Sequence, residues 1–82
     1  MKIDVFYTGG GVTLAEAMLD GGRYAVVSTD NLDCISIYNE NENADPYMPE
    51  DMVASFSVEE MDAETKALYL DMLEALKILK NA

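Results

Sequence analysis

Apolar and polar residues alternate along "IDVFY", residues 3 to 7. Ile3, Val5 and Tyr7 share one face, and Asp4 and Phe6 share the other. A period of two with β-branched and aromatic residues predicts a strand. The runs "YAVVS" (24 to 28) and "CISIY" (34 to 38) predict two more. Between them "TDNLD" is rich in turn formers, and Gly21 and Gly22 break the chain before Arg23. The period then changes. Leu68, Tyr69, Met72, Leu73, Leu76 and Leu79 recur at helical spacing, which predicts a helix from Ala63 to about Lys80. Its start is doubly marked. Ser57 to Glu60 spells a capping box, and Asp62 offers a second N-cap. Acids lead and lysines trail, as the helix dipole favours. Leu70 and Ile78 fall off the stripe, either as ordinary surface residues or as a second contact with a partner.

The stretch "YTGGGVTLAEAML", residues 7 to 19, fits two elements. As a helix it has Thr13 as N-cap, Glu16 closing a capping box, and glycines after its end. It would have only about two turns, which is marginal without packing. As a strand it presents Val12, Leu14 and Met18, with Glu16 interrupting the series. Context favours the strand, since short neighbours joined by glycine turns make a meander. Residues 39 to 51, "NENENADPYMPED", predict a polar, exposed loop, with Tyr47 and Met48 between Pro46 and Pro49 pinning it to the body. "MVASFS", 52 to 57, predicts a short strand or an extended connection.

Charge changes the picture most. Sixteen acids face five bases among 82 residues, for a net charge of −11. No base lies between Arg23 and Lys66, whereas Asp30, Asp33, Glu40, Glu42, Asp45, Glu50, Asp51, Glu59, Glu60, Asp62 and Glu64 all do. Such a surface repels phosphate backbones and anionic lipid and attracts the basic groove of another protein. The bland alternative is a solvated face that keeps a small protein soluble. The length suits one domain spanning residues 1–82, with a modest core. The single Cys34 excludes an internal disulfide, and its apolar run suggests a small buried thiol. No basic-plus-apolar leader is evident, and the apolar runs fall short of the ~20 residues a membrane span needs. A cytoplasmic location is therefore expected.

Candidate chemistry is sparse. "TGGGVTLAE" matches neither phosphate-loop spacing and has no lysine after it. Counting Asn39 as position 1, Asn41, Asn43, Asp45 and Glu50 follow the ligand spacing of an EF-hand loop. Asn39 stands where aspartate belongs, however, Ala44 where glycine belongs, and Pro46 stiffens the segment. Without histidine there is no histidine-based triad or metal centre. Acid pairs such as Glu59 and Glu60 have no evident shared pocket. We expect no catalytic, metal or cofactor-binding residues and no enzyme activity. Tyr7, Tyr24, Tyr38, Tyr47 and Tyr69 suit either the edge of a small core or a protein-binding surface.

"YTGGG", "CISIY" and "YMPEDM" together resemble small uncharacterised acidic proteins of bacterial genomes and mobile elements. That resemblance covers most of the chain and implies no active residues. In size and charge alone the chain also resembles the small acidic inhibitors that phages direct at nucleic-acid enzymes. The expected fold is α+β, a small antiparallel sheet of three to five strands packed by one C-terminal α-helix. The expected function is non-catalytic protein binding. In its specific form, carboxylates substitute for phosphates and occupy a basic nucleic-acid groove, with no direct binding of nucleic acid or membrane. The residues proposed for it are Glu40, Glu42, Asp45, Glu50, Asp51, Glu59, Glu60 and Asp62. The rival is a small structural or regulatory module that forms a homodimer through a sheet edge or through Leu70 and Ile78.

Overall fold

The computed structural model describes residues 2–7, 10–39 and 52–81, with side chains described as far as Lys77. Among the described residues are five strands: β1 (Ile3–Tyr7), β2 (Thr13–Leu19), β3 (Arg23–Ser28), β4 (Asn31–Asn39) and β5 (Met52–Ser57). A 3₁₀ turn, Val58–Glu60, leads to the helix α1, Ala63–Asn81. The strands pair in chain order, β1-β2-β3-β4-β5, and every pairing is antiparallel. The helix lies on one face of this meander, mainly over β2 and β1 and less over β3. The 3₁₀ turn packs on β4 and β5. The α+β expectation is met at its upper strand count.

The ambiguous segment is a strand. Gly10 and Gly11 hold φ of 68° and 83°, so they turn a β1–β2 hairpin rather than open a helix. The Tyr7 hydroxyl accepts the Gly11 N–H at 3.3 Å across that turn. Which face of β2 is buried differs from the expectation. Ala15 and Ala17 are fully buried, whereas Met18 is exposed and Leu14 only half-buried. The reason is room. Tyr69, Met72 and Leu76 descend from the helix onto Ala15, Ala17, Ala25, Val27 and Ile35. Small strand residues opposite large helix residues let the two layers close at interior density. Glu16 therefore does not interrupt a buried series. It lies with Leu14 and Met18 on the sheet face away from the helix.

Two further boundaries move. The β3–β4 connection is only Thr29–Asp30, so Asn31, Leu32 and Asp33 belong to β4 and not to a turn. Thr29 fastens this turn to β2. Its N–H donates to the Thr13 carbonyl and its Oγ1 accepts the Thr13 N–H, both at 3.0 Å. Residues 52–57 form a strand, β5, in register with β4 from Cys34↔Ser57 to Ile37↔Ala54, after which an irregularity shifts the pairing to Tyr38↔Met52. Ile35 and Met72 are fully buried, and each contributes about 1.5–3 kcal/mol by leaving water.

Candidate functional site

The start of α1 is built by two acids with structural roles. The Glu60 carboxylate accepts the Ser57 N–H and the Ser57 hydroxyl, both at 2.9 Å. The Asp62 carboxylate accepts the Thr65 N–H at 2.7 Å, which caps the helix proper. Each set of bonds favours the ionised form and holds its carboxyl below the ordinary value. Both side chains remain at the surface, so they keep their negative charge facing solvent.

Topology then adds acids that are distant in sequence. Cys34 pairs with Ser57, so the β3–β4 turn and the 3₁₀ turn lie at the same end of the sheet. Exposed Asp30 and Asp33 thereby join Glu59, Glu60, Asp62 and Glu64 at one end of the molecule. Asp33 also faces Tyr69, whose hydroxyl donates to the Leu32 carbonyl. Burial first, then Asp33 and Cys34, pushes the Tyr69 hydroxyl upward. Of the acids named from sequence, Glu59, Glu60 and Asp62 belong to this end. Glu40, Glu42, Asp45, Glu50 and Asp51 lie outside the described residues, as do Tyr47 and all of the EF-hand-like spacing after Asn39. The residues flanking them, Asn39 and Met52, sit at the opposite end of the sheet. No family model matches the chain, and neither a curated protein nor a solved structure does.

Beside the acidic end, on the helix side, runs a groove of ≈ 800 Å³. Leu32 from β4 and Leu70 and Leu73 from α1 line it. Leu70 is 52% exposed and Leu32 43% exposed. Leu70 is thus off the core stripe, as its position in the sequence suggested. The side chain of Ile78 lies outside the described ones.

The sheet face away from the helix carries a second set of groups. Met18, Tyr24 and Tyr38 align across β2 to β4. Phe6 and Leu14 pair nearby, and Asp4 stands directly opposite Glu16. Partial burial first, then Asp4, raises the Glu16 carboxyl above its ordinary value, while Lys2 pairs with Asp4 at 3.7 Å. Cys34 is half-buried on this same face rather than in the core, where it borders a hollow with Val26 and Ser36. Among the described residues no group of three or more acids or cysteines is placed to hold a metal. No helix among them is long and apolar enough to cross a membrane.

Proposed function

We propose that this is a non-catalytic protein-binding domain whose acidic end engages a basic, nucleic-acid-binding protein. One observation carries the reading. The fold gathers Asp30, Asp33, Glu59, Glu60, Asp62 and Glu64 from two separate chain segments at one end of the sheet. Carboxylates carried on a sheet end and a helix start present their charges to one side together, where a basic groove built for phosphates can meet them. The chain's net charge of −11 steers such a partner toward it and keeps nucleic acid itself away. The loop acids Glu40, Glu42, Asp45, Glu50 and Asp51 extend the same charge along the sequence.

Neutralising the acids in two sets tests this. The sheet-end set is Asp30→Asn, Asp33→Asn, Glu59→Gln and Glu64→Gln, which spares the capping Glu60 and Asp62. The loop set is Glu40→Gln, Glu42→Gln, Asp45→Asn, Glu50→Gln and Asp51→Asn. An extract of the source cells passed over the immobilised domain at low salt should yield proteins that heparin also retains. The sheet-end set should abolish that retention with folding unchanged by circular dichroism. Undiminished retention by both variants would reduce the acidic surface to a solubilising one.

A second reading rests on Leu70, half-exposed beside a groove. The domain would then self-associate through its helix. Leu70→Glu with Ile78→Glu should abolish a dimer seen by light scattering. A monomeric wild type excludes this reading.

A further inference from the structure

We propose that the groove between α1 and the start of β4 receives a cationic amphipathic segment of the partner protein. This rests on the protein-binding reading above and names what the partner presents beyond its positive charge. The groove has an apolar floor of Leu32, Leu70 and Leu73, with Tyr69 and Leu76 packed beside them. Asp33 and Glu74 stand on its rim, and Lys77 supplies the cation among its lining residues. Single exposed apolar residues are ordinary on a small protein. Two half-exposed leucines from different elements, meeting in one concavity, form an anchor site. Its volume lies within the range that takes a few apolar side chains, and such grooves commonly accept the apolar face of a helix.

Charge selects the occupant. Asp33, one of the sheet-end acids, lines the groove itself, so the groove adjoins the acidic end. A segment with apolar residues at helical spacing and Lys or Arg on its flanks would bury the first on the leucines. It would set the second against Asp33, Glu74 and the sheet-end acids. A second copy of this chain brings another −11 charge and its own acids to the same rim, which like-charge repulsion opposes. Anionic lipid and nucleic acid are repelled for the same reason.

The test is a titration of the full chain, followed by methyl NMR, with three synthetic peptides. One is a Leu/Lys peptide patterned as an amphipathic helix. The second has the same composition scrambled to remove the apolar face, and the third is oligolysine. The amphipathic peptide should move the methyl signals of Leu32, Leu70 and Leu73 and bind about tenfold tighter than either control. Leu70→Asn should cost about tenfold in that affinity, since it removes one leucine from the interface. Leu32→Asn should do the same from the other wall, which keeps the test decisive if one variant folds poorly. Equal binding by oligolysine, with the leucine methyls unmoved, overturns the groove and leaves the acidic-end reading standing. No binding by any peptide overturns both. Methyl shifts that grow with protein concentration alone overturn the proposal in favour of a second copy.

Discussion

At the scale of single residues, the outcomes turn on backbone angle and on local charge. Gly21 has φ of 81° and nothing within 4 Å of where a Cβ would stand. Gly21→Ala therefore meets no clash, and its cost is the left-handed backbone alone, about 1–2 kcal/mol by urea unfolding. Gly21→Asn should cost less, because asparagine tolerates that region. Among the described residues Glu16 is the carboxylate whose pKa the fold raises, through partial burial and the facing Asp4. With the folded value above the unfolded one, its neutral form favours folding, and that favour is lost as pH rises through the folded value. Glu16→Gln should thus be more stable than wild type near neutrality, and the gap should close below 4.5, the ordinary value. Melting temperatures of both proteins across that window measure it. An unchanging gap would show that the substitution acts through packing instead. Glu60 and Asp62 work in the opposite direction, because their capping bonds are lost as pH falls through their lowered values.

At the scale of elements, the packing of α1 on β2 sets both the core and its tolerance. Ala17 has no exposed surface and lies under the helix side chains. Ala17→Leu should destabilise by about 1–3 kcal/mol, read by thermal or urea unfolding, because the helix must lift to admit it. No loss would mean that the helix rides higher than described. The same packing explains what could be read in advance. The helix was legible from Leu68 to Leu76 because burial there repeats at helical spacing and because Ser57, Glu60 and Asp62 signal its start. The strand β1 was legible from its alternation, and β3 and β4 from short runs rich in β-branched and aromatic residues between turn formers. The buried face of β2 was not, because Ala15 and Ala17 are weakly hydrophobic and Leu14 and Met18 look like better core. Only the volume demanded by Met72 and Leu76 decides it. Residues 31–33 read as turn because Asn31 and Asp33 favour turns, yet β4 begins at Asn31, which pairs with Ser28 of β3.

At the scale of the whole molecule, charge and topology meet. Net charge was plain from sequence, but its grouping was not. Nothing local links Asp30 and Asp33 to Glu59 and Glu64, and only the register Cys34↔Ser57 does so. The groove beside them was half legible. Leu70 stood off the helical stripe, but Leu32 was hidden in a segment read as turn. The central claim is that the gathered carboxylates steer a basic partner to this end of the sheet. The measurement that tests it most directly is the association rate of domain and captured partner as a function of salt. Screening shortens from ~30 Å at 0.01 M to ~3 Å at 1 M. Across that range the wild-type rate should fall by at least about tenfold, with the dissociation rate changing much less. The sheet-end variant should begin at a slower rate and fall less. An association rate that ignores salt, or is the same in both proteins, would contradict the account.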